Sequence, residues 1–278
     1  MLQPRVGPLV KMLRFALLGA HLDGSLSPAL HGSAFEGLDL AATYEAWSCD
    51  AAGLEAQVLR ARHELNGFNL TAPHKRAVLP YLDHISPQAR RLGSVNTVLV
   101  SPEGLQGENT DLEGLEASLD QLDVDGGSAV VLGAGGVVGA VVHALVKHGF
   151  SRITLCARRP EEALRWAPYC PFELSVLPWE DRHNILASQQ LVVQATPLGK
   201  ADNDPLPLLL EKASSDLVIL DLAYKEHGTT ALIASARGVG LRCLDGRTML
   251  REQAVGAHRM WGIEPRSREF LRRFMPDE

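Results

Sequence analysis

Long apolar runs are missing from this sequence. No stretch approaches the roughly 20 residues of a membrane-spanning helix. Cysteine is scarce: Cys49, Cys156, Cys170 and Cys243 are scattered, with no C-x-x-C pair and no histidine cluster beside them. That argues against a disulfide framework and a structural zinc site. The plain reading is reduced thiols in a cytoplasmic protein that holds no metal. A basic excess is missing too. With 27 Lys and Arg against 33 Asp and Glu, the net charge is -6, which argues against a nucleic-acid binder. Small anionic ligands stay open, because they need only local donors. There is no internal repeat and no low-complexity segment. The opening "MLQPRVGPLVKMLRFALLG" has neither a continuous apolar core nor a small-residue cleavage site, so a secretion signal is not expected. Met1 to Lys11 reads as a short extension and Phe15 to Gly19 as the first strand.

What is present is an ordinary globular composition. The chain has 278 residues, 46% hydrophobic and 22% charged, enough for one large or two medium domains with a real core. Short runs rich in Val, Ile and Leu read as strands: 14–19, 67–71, 96–100, 129–135, 152–158, 191–196 and 216–224. Helix-compatible segments lie between them at 27–38, 53–65, 138–149 and 229–240. This alternation predicts an α/β protein with mostly parallel sheets. We expect an α/β domain over 1–112, a second over 113–246, and a C-terminal helical segment over 247–278. In that last segment the spacing of Leu250, Ala254, Ala257 and Trp261 suits a helix packed back on the first domain.

"AVVLGAGGVVGAVVHALVKHG" reads as a strand, a glycine turn and a helix. Gly133 and Gly135 fit the first two positions of the dinucleotide fingerprint, where a missing Cβ permits a tight turn and close approach of a pyrophosphate. Val138 stands where the strict pattern has glycine, while Gly136 and Gly139 keep the backbone small. At the end of the next strand an acid would hold the ribose 2′-hydroxyl of NAD. This chain has Arg158 and Arg159 there instead. Guanidinium groups suit a 2′-phosphate, so NADP is the expected cofactor, although a plain glycine turn and a solvated basic turn are the blander alternatives.

Four more strand or loop ends carry short polar motifs: "GSLSPALH", "GFNLTAPHK", "GSVNTV" and "GENTDLEG". Ligands of open α/β sheets bind beyond strand ends. Hydroxyls and amides there suit a small polyhydroxy carboxylate, and Lys75 with Asp111 can move a proton. Each motif also has a local reading. Ser27 before Pro28 is a good helix N-cap, Asn96 and Asn109 can close turns, Asp111 can cap a helix, and Lys75 can be a surface lysine.

Taken in order, the motifs resemble those of the shikimate dehydrogenase family. "GAHLDGSLSP", "NLTAPHK", "GSVNT", "NTDLEG", "GAGG", "QATPLG", "LAY" and "MLREQA" follow the family's sequence of motifs from about Leu17 to Trp261. The resemblance implies an N-terminal α/β substrate domain, a Rossmann domain for NADP(H), and a C-terminal helix returning to the first. It implies NADPH-dependent reduction of 3-dehydroshikimate to shikimate. Lys75 and Asp111 would be the catalytic pair, and Ser25 and Ser27 would hold the carboxylate. Thr71, Asn96, Asn109, Tyr224 and Gln253 would surround the hydroxyls. Gly133, Ala134, Gly135, Gly136, Arg158, Arg159, Thr196 and Gly246 would bind the cofactor. Asn69 reads as a structural brace, and His74 as turned away from the substrate.

Several positions depart from the family pattern. His21 replaces a proline, Gly24 a histidine, Gly32 an asparagine and Gln194 an asparagine, and the proline usual after the tyrosine is absent. Small-molecule partners are expected, for a monomer or homodimer. The alternatives are a quinate or aminoshikimate-type dehydrogenase, a non-catalytic NADP-binding paralogue, and an unrelated two-domain enzyme such as a folate dehydrogenase.

Overall fold

The apolar run after Met12 forms β1 (Leu13–Gly19). In this computed structural model, which describes residues 12–201, 203–263 and 265–276, it is followed by α1 (Ser27–Gly37), β2 (Ala42–Ser48), α2 (Leu54–Glu64), β3 (Gly67–Leu70) and α3 (His74–Ala77). Then come β4 (His84–Ile85), α4 (Pro87–Leu92), β5 (Thr97–Ser101), β6 (Gly104–Glu108) and α5 (Asp111–Leu122). The expected extension, Met1 to Lys11, lies outside the described residues. These strands make one six-stranded sheet in the order β2-β1-β3-β5-β6-β4.

The first sheet departs from the parallel expectation. β1 pairs parallel with β2 and β3, but β5 is antiparallel to both β3 and β6. Only Pro102 and Glu103 separate β5 from β6, and so short a link can join only antiparallel neighbours. The structure also contains β2, β4 and β6, which the apolar-run reading does not identify. In β2 only Trp47 is buried, so this edge strand carries no continuous apolar run.

The second half adds β7 (Gly127–Leu132), α6 (Val138–Lys147), β8 (Phe150–Ala157), α7 (Pro160–Ala163), β9 (Ser175–Pro178), β10 (Leu191–Gln194), β11 (Val218–Asp221), α8 (Ala231–Gly238) and β12 (Cys243–Leu244). Its sheet, β12-β11-β10-β7-β8-β9, is parallel throughout. β7 is buried on both faces, which explains its apolar run over 129–132. Ala129 and Val131 join a core with Leu115, Val141 and Leu145, whereas Val130 and Leu132 join another with Leu232 and Ile233.

The chain ends in α9 (Arg247–Met260) and α10 (Ser267–Phe274), which return to the first sheet. Trp261 stacks on Phe15 with ring centroids 4.4 Å apart, and its indole N–H donates to the Val98 carbonyl at 3.0 Å. Among the described residues no helix is long and apolar enough to cross a membrane, and no group of three or more His, Cys, Asp or Glu is placed to hold a metal ion.

Candidate active site

Strand direction brings the polar motifs together. The register pairs Asn69 of β3 with Thr97 of β5, and Thr97 with Glu108 of β6. The start of β5 therefore lies beside the ends of β3 and β6. Asn96 precedes β5, Thr71 and Lys75 follow β3, and Asp111 follows β6.

Lys75 Nζ donates to Asp111 Oδ2 at 2.7 Å, with the two side chains 16% and 4% exposed. Asn96 Nδ2 donates to the other oxygen, Oδ1, at 2.8 Å. Asp111 is the first residue of α5, where the helix dipole favours a negative charge. The Asn96 amide is fixed from its other end: Oδ1 accepts the Thr110 backbone N–H at 2.7 Å and the Thr97 hydroxyl at 3.1 Å. Asn96 Nδ2 also reaches Gln253 Oε1 at 3.4 Å, which brings α9 into the cluster. Asn69 is a brace. Its Oδ1 accepts from the Tyr44 hydroxyl at 2.8 Å, and its Nδ2 donates to the Asn96 carbonyl at 3.1 Å and the Thr97 hydroxyl at 2.9 Å. His74 turns away, with Nε2 2.8 Å from the Cys49 carbonyl oxygen. Thr71 stays half-buried, and its carbonyl accepts the His74 N–H at 2.9 Å.

Two serine expectations meet different fates. Ser27 is not the N-cap of α1. Leu26 already has helical angles, φ -79° and ψ -8°, and no side chain caps the helix. Ser27 is thus the first helical residue, buried beside Ser25, whose hydroxyl accepts the Ser27 N–H at 3.4 Å. Gly24, the departure just before these serines, has φ +68°, a conformation that favours glycine. Tyr224, from the loop after β11, crosses to this segment and is hydrogen-bonded by the Ser25 hydroxyl and the Leu26 N–H. Burial pushes its phenol pKa up, and those two hydrogen bonds oppose the shift. Tyr44 is pushed well up as well, by burial first and then by Tyr224.

Asn109 does not join the cluster. Its side chain is fully buried, and Nδ2 donates to the Ser94 hydroxyl at 2.8 Å and the Ser94 carbonyl at 3.1 Å. It ties the segment before β5 to the end of β6. Thr110 and Thr97, which sequence reasoning passed over, do the orienting instead. Thr110 was legible as the middle residue of the Asn-Thr-Asp motif.

The glycine turn faces the same cleft. Gly133 has φ +121° and donates its N–H to the Cys156 carbonyl at 2.8 Å. A side chain there would be strained and crowded against the Ala195 carbonyl. Ala134 is half-buried and Gly135 exposed, with open space above it, and the Cβ position of Gly136 is 3.6 Å from Lys75 Cβ. Arg158 and Arg159 stand exposed after β8, and Arg159 Nη1 pairs with Glu162 Oε1 at 2.7 Å.

The departure at Gln194 is accommodated by its extra methylene. Its amide wraps the following turn, donating to the Thr196 and Leu198 carbonyls at 3.1 and 2.9 Å and accepting the Thr196 N–H and hydroxyl at 2.9 Å each. Gly246 opens α9 against the loop after β11, its N–H on the Ala223 carbonyl at 3.1 Å.

The structure thus sets the Lys75–Asp111 pair beside the glycine turn and bonds the Ser25 hydroxyl to Tyr224. The comparisons agree with it. The family described as shikimate dehydrogenase substrate binding domain matches residues 17–98. The NADP(+) shikimate dehydrogenase of Acidiphilium cryptum is 39% identical over 254 residues, 90% of each chain. The shikimate dehydrogenase of Thermus thermophilus, solved with NADP(H) and shikimate, is 38% identical with a TM-score of 0.80, covering 94% of this chain and 99% of that one. Quinate dehydrogenase from Corynebacterium glutamicum, solved with NAD, is 31% identical with a TM-score of 0.83, over 95% and 99%. The chain belongs to the shikimate dehydrogenase family.

Proposed function

We propose that this protein reduces 3-dehydroshikimate to shikimate with NADPH. The observation that carries the reading is the Lys75–Asp111 hydrogen bond of 2.7 Å set against the glycine turn. The residues present fit the cofactor: the open backbone at Gly135 leaves room for a pyrophosphate, and Arg158 and Arg159 suit a 2′-phosphate. The chain divides, on this reading, into a substrate domain over 1–112, a cofactor domain over 113–246 and a returning segment over 247–278. It acts on small molecules in the cytoplasm, as a monomer or homodimer.

NADPH, when bound, supplies a hydride to the ketone carbon. As negative charge develops on the ketone oxygen, the Lys75 ammonium gives it a proton, leaving a neutral amine that solvent reprotonates. Asp111 holds the Lys75 ammonium in place and accepts a hydrogen bond from the neighbouring substrate hydroxyl. Asn96 fixes the carboxylate of Asp111. Ser25, Ser27 and Tyr224 bind the substrate carboxylate, and Thr71 and Gln253 the remaining hydroxyls. Ala134, Gly136, Thr196 and Gly246 line the cofactor's path.

The test is NADPH oxidation, followed at the nicotinamide absorbance, with 3-dehydroshikimate. Turnover supports the reading, and its absence with folded protein overturns it. The likeness to quinate dehydrogenase favours a second reading, oxidation of quinate, which the same assay run in reverse on quinate and shikimate distinguishes.

A further inference from the structure

Arg165 is a half-buried cation with no part in the reduction. It lies in the short helical turn Leu164–Tyr169, after α7. Its guanidinium reaches back to the glycine turn, where Nη2 donates to the Ala134 carbonyl at 2.5 Å, and it lies 4.9 Å from the Trp166 ring centroid. Its Nε is buried with no hydrogen-bond partner. Glu162, the acid that acts on it at longer range, is bonded to Arg159 at 2.7 Å. Burial lowers the Arg165 pKa first, and the charge of Arg76 lowers it further.

Arg76 belongs to the other domain. It follows Lys75 in α3, the helix whose Lys75 Cβ stands 3.6 Å from the Cβ position of Gly136. Arg165 therefore sits on the glycine turn while the charge of Arg76, from the helix that carries Lys75, acts on it. Like charges in that position repel, and a half-buried guanidinium with only a carbonyl to bond keeps unused donors.

We propose that Arg165 is a phosphate-binding residue that completes the diphosphate site at the glycine turn, with Arg76 facing the same anion from α3. The proposal rests on the reading that a dinucleotide binds this turn. The diphosphate accepts the free N–H groups of Arg165, which guanidinium geometry suits. It also neutralises the repulsion between the two guanidinium groups, so cofactor binding draws α3, and Lys75 with it, towards the glycine turn.

The experiment measures dissociation constants of NADP+ and NAD+ by tryptophan fluorescence for the wild type, Arg165→Gln, Arg165→Lys, Arg76→Gln and the double Gln variant. Both dinucleotides carry the diphosphate. Arg165→Gln is expected to weaken both by the same factor, about 10- to 100-fold for a lost charged hydrogen bond. Arg165→Lys should recover part of the loss. The slope of log Kd against log salt should become shallower in Arg165→Gln, which a merely structural role would not cause. The double variant should lose less than the sum of the two single losses.

Unchanged constants in a cooperatively melting Arg165→Gln overturn the proposal. So does a loss confined to NADP+, which would move Arg165 to the 2′-phosphate. If Arg165→Gln does not fold, Arg165→Lys and Arg76→Gln make the same comparison between the two dinucleotides. A wild type that binds neither dinucleotide overturns the cofactor reading and this proposal together, whereas tight binding by wild type and variants alike overturns this proposal alone.

Discussion

Lys75 and Asp111 stand 36 positions apart in sequence and share a 2.7 Å hydrogen bond, because β5 runs back between β3 and β6. Asp111 has little slack. One oxygen meets Lys75 and the other meets Asn96, so the carboxylate cannot rotate without losing a bond. Lys75→Ala is expected to lower kcat by about 10²–10⁴, the usual worth of a proton-transfer group. A kcat near normal with only KM raised would reduce Lys75 to a binding residue. Asp111→Asn places an amide N–H₂ against either Lys75 or the Asn96 amide. It should lower kcat while leaving NADP+ binding unchanged, as measured by steady-state kinetics and cofactor titration.

Asn96 and Asn109 look alike in sequence, each followed by threonine and preceded closely by a glycine, yet they divide the work. Asn96→Ala removes the bond that orients Asp111 and should act on kcat. Asn109→Ala removes two bonds to Ser94 and should cost about 1–3 kcal/mol of stability with KM for substrate unchanged. Thermal melts and kinetics on both variants separate the roles. An Asn109→Ala protein with normal melting and a raised KM would return Asn109 to the cleft.

The difference between these two asparagines marks how far sequence carries. The long apolar strands β1, β7, β8, β10 and β11 were legible because buried parallel strands need continuous apolar runs. The edge strands β2, β4 and β9 were not, since half-exposed or very short pairing leaves no such signature. The first sheet's antiparallel centre followed from the two-residue link after β5, which the run-by-run reading did not weigh. At the site, the residue types and their order were visible. Which of two similar amides faces the cleft depends on strand register, and Ser27 escaped its capping role because the helix begins one residue earlier. The involvement of Arg165 rests on a tertiary contact with Ala134 that has no local pattern.

Arg158 and Arg159 differ in what already occupies them. Arg159 is paired with Glu162 at 2.7 Å, while Arg158 is exposed directly after β8. Arg158→Ala should therefore raise the KM for NADP+ more than Arg159→Ala does and leave the KM for NAD+ nearly unchanged. Glu162→Gln, which releases Arg159, should tighten NADP+. Equal kcat/KM for NADP+ and NAD+ in the wild type would remove the 2′-phosphate role from both arginines.

His31 and His258 make the fold acid-sensitive from within. Their Nδ1 and Nε2 atoms lie 2.8 Å apart, and both rings are buried. Burial pushes His258 down to about 3, and burial followed by the nearby His258 pushes His31 well below its ordinary value. In the unfolded chain both titrate near 6.5. The folded state thus binds fewer protons below that pH. The stability they contribute is fully present above about 6.5 and is lost as pH falls towards the folded values. Melting temperature followed from pH 7 to 5 should drop, and His258→Leu should flatten the slope by up to one proton, about 1.4 kcal/mol per pH unit. An unchanged slope would mean that His258 takes up a proton in the fold.

Asp221 works in the opposite direction over an overlapping window. Its carboxyl is fully buried at the end of β11, where Oδ2 accepts the Thr230 hydroxyl at 2.7 Å and Oδ1 the Ala223 N–H at 3.0 Å. Burial raises its pKa from 3.8 to about 6, with Asp245 adding to the rise and the two hydrogen bonds opposing it. Between those values the folded state holds the extra proton. Stability therefore declines as pH rises from about 4 to 6 and levels off above, by at most about 3 kcal/mol. Asp221→Asn keeps an acceptor for Ala223 and removes the charge. Its advantage over wild type should grow from pH 4 to 6 and then stay constant. A difference that is flat across that range would show that Asp221 ionises normally. The same carboxyl anchors the turn that leads into Tyr224, so the KM for substrate in Asp221→Asn should lose any pH dependence that this proton imposes near pH 6. Steady-state KM between pH 5 and 7 for both proteins reads that directly.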